Sequence, residues 1–249
     1  MSGTLIETEG LTKKYGAQTA VDHLSFSINE GEIFGFLGPN GAGKTTTLLM
    51  LLGLTEPTEG TARVLGVDPT REPIKVKRTI GYLAENMGFY ADLNARQTLE
   101  FIAELNGLPG DVGAQRIEEA LEVVGLRENG EKRVGAHSRG MRQRLGIAEL
   151  LVKAPKVAFL DEPTLGLDPD ATNRMIQLIV SLNREKGMTV LLSSHMLHQV
   201  QQICHRVGIM IKGKMVVVGP MDQLADEKLG MGTEEYTLEE IYMKYFQED

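Results

Sequence analysis

Apolar and polar positions follow two different periods along most of the chain. Residues 32–37, 156–160 and 188–192 are short apolar runs, and each predicts a buried strand. Residues 170–186 instead repeat their apolar side chains at helical spacing and end at Gly187, a residue that commonly terminates helices. Strands that alternate with helices in this way predict an α/β fold built on an open sheet.

The amino-terminal part and the middle of the chain depart from that alternation. Residues 5–28 are expected to form short strands broken by a turn, and residues 25–28 alternate polar and apolar side chains. Residues 98–105 and 114–124 carry apolar residues at helical spacing, with glycine-rich breaks after each. Residues 92–151 therefore predict a helical lobe inserted before the strand pattern returns.

Composition narrows the class of protein. A chain of 249 residues is near the upper limit for one hydrophobic core, which favours one large domain or a core with an inserted lobe. The net charge of −8 and the lack of a long basic run do not support nucleic-acid binding. The apolar runs are far shorter than the roughly 18 residues of a membrane span. No signal peptide is recognised, and the single Cys204 excludes an internal disulfide, so we expect a cytoplasmic protein.

The strongest chemical motif lies at residues 38–45, which fit the P-loop pattern G-x-x-x-x-G-K-[ST] at every fixed position. An apolar strand precedes it, and residues 46–54 predict a helix after it. Glycines let the backbone N–H groups turn toward a phosphate, and the helix N-terminus adds partial positive charge. Lys44 would reach the outer phosphates and the Thr45 hydroxyl would hold Mg²⁺. The alternative is an ordinary glycine-rich turn, which the complete match disfavours.

Two further features suggest chemistry. Residues 156–160 form an apolar run that ends in Asp161 and Glu162, at the strand end where open α/β sheets bind ligands. One acid could hold Mg²⁺ and the other could take a proton from an attacking water; the alternative is a capped surface turn. Tyr15 could stack on a base, but its local sequence favours packing against its own turn.

Together these motifs resemble the nucleotide-binding subunit of an ATP-binding cassette (ABC) transporter, over roughly residues 4–220. The resemblance implies a P-loop NTPase core with an antiparallel β subdomain and an inserted helical subdomain. Beyond the P-loop it rests on motifs in the family's order: the adenine-stacking aromatic (Tyr15), the position usually held by glutamine (Glu85), the signature (residues 137–141), the two acids, the loop that crosses the dimer (residues 165–168) and the switch histidine (His195).

The resemblance implies ATP and Mg²⁺ as the cofactors. It implies Glu162 and His195 as catalytic residues, and Thr45, Glu85 and Asp161 as metal-binding residues. The implied ATP-binding residues are Tyr15, Gly38, Pro39, Asn40, Gly41, Ala42, Gly43, Lys44, Thr45, Thr46, Ser138 and Gly140.

Three positions depart from the family pattern. Glutamate replaces the usual glutamine at Glu85, and the signature keeps only Ser138 and Gly140. These two departures are typical of ABC-2 type exporters. Glu149 stands where the family usually has arginine. His137, which precedes the signature serine, is interpreted as a surface histidine at the start of a helix rather than as an extra catalytic group.

The resemblance implies an ATPase that powers export through a separate integral-membrane permease. It also implies a homodimer with ATP sandwiched at its interface, a peripheral position on the cytoplasmic face of the membrane and no nucleic-acid partner. The alternative is a soluble ABC ATPase without a transport role. Such proteins usually carry two cassettes or long coiled-coil or zinc insertions, which this sequence lacks.

The expected organisation is a nucleotide-binding domain over residues 1–220, with a helical subdomain at about 86–153, and a short helical tail over residues 221–249. Thr237 and Glu240 have the spacing of a capping box. An apolar stripe follows and should be buried, preferably on its own domain and alternatively on a second copy. The stripe consists of Leu238, Ile241, Tyr242 and Tyr245.

Overall fold

The computed structural model describes residues 3–220, 223–224, 238–239 and 242–243. Its strands form two sheets. The three-stranded antiparallel sheet has the order β2-β1-β4 and consists of β1 (Thr4–Tyr15), β2 (Gln18–Asn29) and β4 (Glu59–Val64). Residues 5–28 therefore form long strands rather than the short ones expected. The register of β1 and β2 shifts where the sequence pattern is interrupted, but the two strands stay paired along their length.

The six-stranded sheet has the order β5-β6-β7-β3-β8-β9, and all neighbours are parallel except the antiparallel pair β8–β9. Its strands are β3 (Ile33–Leu37), β5 (Ile80–Leu83), β6 (Val157–Asp161), β7 (Thr189–Ser194), β8 (Arg206–Ile211) and β9 (Lys214–Pro220). The α/β prediction is confirmed. Parallel strands are covered on both faces, so their sequences are continuously apolar, and this is the pattern that predicted them.

The helices are α1 (Lys44–Leu51), α2 (Pro73–Thr79), α3 (Ala95–Leu105), α4 (Gly110–Val123), α5 (Arg139–Lys153), α6 (Pro169–Lys186) and α7 (Leu197–Ile203). The sequence interpretation missed α2, although Pro73 at its first turn and basic residues in its last turn are recognisable signals. It also began α3 too late, because Asn94 and Gln97 form a capping box. Gly187 ends α6 in a left-handed conformation, as expected.

The core lies on both faces of the six-stranded sheet. Side chains of β3 alternate, so that Ile33 and Leu37 pack with the helices α3 to α6 on one face. Phe34 and Phe36 pack on the opposite face with α1 and the antiparallel sheet. Phe26 of β2 lies 5.7 Å from each of these two rings, between centroids. The helical lobe and the antiparallel sheet thus cover opposite faces of one parallel sheet.

Strand register brings the functional segments together. Asp161, the last residue of β6, pairs with Ser193 of β7, and Ser193 pairs in turn with Phe36 of β3. The P-loop follows β3, Glu162 follows β6 and His195 follows β7. All three therefore leave the carboxyl edge of the same sheet side by side, which is where ligands bind in open α/β folds.

The described part of the tail packs on the chain itself. Leu238 is fully buried within the cluster on the helical face, and its N–H donates to the Gln201 side chain at 3.0 Å. Tyr242 packs partly against the same cluster. Four residues of the predicted tail helix lie outside the described part of the chain: Thr237, Glu240, Ile241 and Tyr245. The tail helix therefore stays a prediction. The domain bounds at 86–153 and 220 stay predictions as well. Across the described ranges, no helix is both long and apolar enough to span a bilayer.

Candidate functional site

The loop between β3 and α1 folds around a cavity of about 740 Å³. Gly38 (φ 154°) and Gly43 (φ 102°) have backbone conformations that favour glycine. A Cβ at Gly38 would also collide with the Met210 carbonyl, and one at Gly43 with the Ala20 carbonyl. Glycine is therefore required at both positions. With glycine there, the loop backbone can curve around a phosphate.

Most of the sequence-predicted residues meet at this cavity. Its predicted lining residues are Tyr15, Pro39, Asn40, Gly41, Ala42, Gly43, Lys44, Thr45, Thr46, Glu85, Glu162 and His195. Leu165 also lines the cavity, from the loop that the resemblance assigned to the dimer crossing. Five lining residues belong to none of the motifs: Gln18, Thr19, Ala20, Lys212 and Gly213. Lys212 and Gly213 reach the cavity through a long-range contact, in which the Gly213 N–H donates to the Ala42 carbonyl at 3.0 Å. No local sequence pattern predicts that contact.

Lys44 lies beneath the loop and is 5% exposed. Its ammonium donates to the Gly38 carbonyl at 2.7 Å and to the Pro39 carbonyl at 3.3 Å. It also lies 3.5 Å from Oε1 of Glu162. The cation is thus held at the bottom of the loop, between the carbonyls and a buried carboxylate, where a phosphate would meet it.

Asp161 is buried at the end of β6, and its Oδ1 accepts two hydroxyl hydrogen bonds. Ser193 donates at 2.5 Å and Thr45 donates at 3.3 Å. A carboxylate beside a hydroxyl is a donor set that suits Mg²⁺, which commonly binds few protein oxygens together with phosphate and water. Thr45 and Asp161 therefore fit a nucleotide-linked Mg²⁺.

Glu85 lines the same cavity from the segment that follows β5 and is only partly exposed. Its carboxylate accepts a long hydrogen bond, 3.5 Å, from the neighbouring Asn86 side chain. The structure thus places Glu85 at the cavity, while its role as a metal ligand stays a prediction.

Glu162 and His195 form a hydrogen-bonded pair at the cavity. Nδ1 of His195 lies 2.9 Å from Oε2 of Glu162, and the carboxylate is 6% exposed. A carboxylate oxygen only accepts, so Nδ1 carries the hydrogen of this bond, and Nε2 takes no part in it. Oε1 of Glu162 has no hydrogen-bond partner, although Lys44 lies nearby. One carboxylate oxygen is thus oriented by the histidine, and the other lies beside the Lys44 ammonium.

Glu162 also has an unusual backbone. Its φ of 49° lies in the left-handed region that non-glycine residues rarely adopt. Its N–H donates to Ser193 Oγ at 3.0 Å and lies 3.3 Å from the Ser193 carbonyl. Strained backbone of this kind concentrates at functional sites, where surrounding contacts hold it in place.

Tyr15 ends β1 and borders the cavity with half of its surface exposed. The Lys13 ammonium lies 5.0 Å from its ring centroid. About half of the residue's surface is thus open at the cavity, and its role in stacking on a base stays a prediction. An exposed ring at the mouth of the cavity is available for stacking on a base, as the family resemblance implied.

Ser138 and Gly140 are not among the residues that line the cavity of the same chain. Ser138 is the N-cap of α5, where its hydroxyl accepts from the Met141 N–H at 3.2 Å. The surface prediction for His137 is wrong, since the residue is only 4% exposed. The 3₁₀ turn Val134–Ala136 directs the chain inward just before α5, and burial lowers the pKa of the imidazole.

Glu149 lies on α5, one turn before Lys153. Burial raises the pKa of its carboxyl to about 7, and the nearby Lys153 offsets part of that effect. The Lys153 ammonium donates to the carbonyls of Lys77 at 2.8 Å and Ile80 at 2.9 Å. The family departure at this position therefore places a carboxyl in a poorly solvated setting.

Comparison with known proteins gives consistent matches. A family model described as ABC transporter matches residues 21–165. The bacitracin transport ATP-binding protein BcrA of Bacillus licheniformis is 45% identical over 221 residues, which cover 89% of this chain and 71% of that protein.

Two solved structures are also similar. One is an ATP-binding subunit of an ABC transporter, with a TM-score of 0.86 and 28% identity over 98% of this chain and 100% of that chain. The other is a dimeric post-hydrolysis state of the ATP-binding cassette MJ0796 with ADP and Pi, with a TM-score of 0.78 and 25% identity over 87% of this chain and 98% of that chain.

Proposed function

The chain belongs to the ABC transporter family, and we propose that it is the ATP-hydrolysing subunit of an exporter whose permease is a separate membrane protein. ATP binding and hydrolysis are the activities of this family. The observation that carries the proposal is the hydrogen-bonded pair of Glu162 and His195, which shares one cavity with the P-loop.

Hydrolysis needs a base and a group that stabilises charge on the phosphate. Glu162 is the base in this proposal, because the residue is buried at the border of the cavity and its Oε1 has no hydrogen-bond partner among the described residues. His195 holds the other carboxylate oxygen through Nδ1, and its Nε2 can donate to a phosphate oxygen when the ring carries both hydrogens. Lys44 and the loop N–H groups stabilise the developing negative charge.

Thr45 and Asp161 are the residues that would hold Mg²⁺, which supplies charge neutralisation on the β- and γ-phosphates when bound. Glu85 is an additional candidate at the cavity. The protein's part is to keep the Thr45 and Asp161 oxygens adjacent, which their 3.3 Å contact already does.

A second copy of the chain completes the site. Ser138 and Gly140 fall outside the cavity of their own chain, although the family resemblance assigns them to ATP binding. We infer that each copy presents the N-terminal end of α5 to the ATP held by the P-loop of the other copy. A helix N-terminus capped by Ser138 offers N–H groups and partial positive charge to a phosphate.

The helical lobe offers a surface for the permease. Tyr90 and Phe101 pack edge to face with centroids 6.0 Å apart, yet both are well exposed. Leu105 is exposed on the same helix, beside the acidic side chains Glu100 and Glu104. Cytoplasmic loops of membrane proteins are enriched in Lys and Arg, which fits an apolar surface with an acidic border. We therefore propose that the chain binds its permease at the cytoplasmic face of the membrane, and this pattern of apolar and acidic side chains supports the proposal.

The catalytic part of the proposal is tested with Glu162→Gln. The amide cannot accept the proton of water, so the variant should bind ATP, lose turnover and accumulate as an ATP-bound dimer. ATPase assays and light scattering measure both properties. ATPase activity near that of the original protein would remove Glu162 from the catalytic role.

The transport part is tested by isolating the protein from membranes of the native host and identifying the membrane protein that co-purifies. Phe101→Glu should abolish co-purification while ATP binding stays intact. The matched control is Ile74→Glu, a substitution of an exposed apolar residue on α2, outside the helical lobe. Recovery of no membrane protein with the unsubstituted chain would favour the soluble ABC ATPase.

A further inference from the structure

Ser193 belongs to none of the motifs, yet it lies at the centre of the site. It occupies the carboxyl end of β7, between β6 and β3, and is fully buried. Its register partners are Asp161 on one side and Phe36 on the other. Two residues later comes His195. Ser193 thus lies next to the strand ends that carry the candidate metal-binding acid and the candidate base.

The Ser193 hydroxyl makes two hydrogen bonds whose directions are fixed. The Glu162 N–H can only donate, and it donates to Oγ at 3.0 Å. A hydroxyl has one hydrogen, and the Asp161 carboxylate 2.5 Å away is the acceptor for it. The hydroxyl therefore links the side chain of Asp161 to the backbone of Glu162.

Each bond constrains a different part of the site. On Asp161, Oδ1 receives both Ser193 and Thr45, which limits rotation of the carboxylate about its Cβ–Cγ bond. On Glu162, the bond holds the N–H of a residue whose φ of 49° is otherwise rarely occupied. That backbone conformation directs the Glu162 side chain toward His195 and Lys44.

We propose that Ser193 is a positioning residue for ATP hydrolysis, which orients Asp161 for Mg²⁺ and Glu162 for the attacking water. The inference rests on the proposed function, since it assigns Ser193 to the same reaction. Ser193 does not line the cavity itself and acts only through its two partners.

The test is Ser193→Ala, measured in two ways. In the Glu162→Gln background, which prevents turnover, the Mg²⁺ concentration that half-saturates ATP binding should rise about tenfold, as is common when a residue that supports a metal ligand is lost. ATP binding in EDTA should stay unchanged. In the otherwise unsubstituted protein, kcat should fall about tenfold while the KM for ATP changes little.

The matched control is Thr189→Val at the opposite end of the same strand. Thr189 is also fully buried, and its hydroxyl also accepts a backbone N–H, that of Gly31 at 2.8 Å, but it lies away from the cavity. This control should keep the original Mg²⁺ requirement and kcat. It separates loss of a buried hydroxyl in β7 from loss of the one beside Asp161.

An unchanged Mg²⁺ requirement and an unchanged kcat in Ser193→Ala would overturn the proposal. An equal loss of ATP binding in EDTA and in Mg²⁺ would also overturn it, because the defect would then be general. If Ser193→Ala does not fold, Ser193→Cys carries the same test, since a thiol hydrogen-bonds weakly. The proposed function fails instead if the unsubstituted protein does not hydrolyse ATP, whatever the Ser193 variants do.

Discussion

Replacement of Lys44 by alanine should affect ATP binding and folding stability through different contacts. In the structure the ammonium is 5% exposed, donates to the carbonyls of Gly38 and Pro39, and lies 3.5 Å from Glu162. Loss of a charge-assisted hydrogen bond to phosphate costs about 1.5–3 kcal/mol. At about 1.4 kcal/mol per tenfold change, the Kd for ATP should rise about 10- to 150-fold.

Stability without nucleotide should fall as well. Lys44→Ala removes the cation beside the buried Glu162 carboxylate and the donor to the Gly38 carbonyl, and an unsatisfied buried group costs about 1–3 kcal/mol. In a Glu162→Gln variant the side chain at position 162 has no charge, so the ion pair with Lys44 is already lost. In that background, Lys44→Ala should therefore lower the free energy of unfolding by less than it does alone, and the difference is the coupling energy of the pair.

Four proteins are compared: the unsubstituted protein, Lys44→Ala, Glu162→Gln and the double variant. Calorimetry measures their Kd for ATP, and urea unfolding measures their free energy of unfolding. Lys75→Ala is the control, because Lys75 is an exposed lysine on α2 that pairs with Glu72 at the surface and should change neither quantity by much. An unchanged Kd for ATP in Lys44→Ala would contradict the P-loop assignment. Strictly additive stability losses would instead refute the ion pair with Glu162.

Three other predictions concern separate parts of the chain. Ser138→Arg should leave ATP binding by the monomer largely intact but abolish ATP-driven dimerisation and hydrolysis; normal dimerisation in light scattering would refute the site shared between two copies. Deletion of residues 233–249 should lower the melting temperature of the monomer, because Leu238 is buried on its own domain; loss of a nucleotide-free dimer without a change in melting would favour packing on a second copy. Burial raises the pKa of Glu149 from its usual value of 4.5 to about 7. The folded state therefore binds more protons than the unfolded state between these pH values, and it loses stability as the pH rises through them. Glu149→Gln should thus stabilise the protein at pH 8, by at most about 3 kcal/mol, and have little effect near pH 4.5; equal effects at both pH values in urea unfolding would contradict the buried carboxyl.

The sequence predicted those features that depend on neighbours along the chain. The P-loop could be recognised because its glycines, lysine and threonine act within one turn between a strand and a helix. The buried strands could be recognised because parallel strands covered on both faces are apolar throughout. The C-terminal end of α6 could be predicted because Gly187 caps the helix locally.

Elements whose limits depend on tertiary contacts were predicted less well. β1 and β2 are longer than their sequence pattern suggested, because pairing continues through irregular register. His137 was expected at the surface because it precedes a helix, but it is only 4% exposed. Local polarity does not report which side of a segment faces the core.

By itself, the sequence determined which residue types the site contains: a phosphate loop, two acids after a strand and a histidine after another. Only the tertiary structure decided how they pair. Glu162 and His195 are 33 positions apart, and Ser193 reaches Asp161 only because β6 and β7 are adjacent and in register. Lys212 borders the cavity only because its turn contacts the P-loop. The physical reason is that strand order and register are set by burial over the whole sheet, which no local segment of the chain encodes.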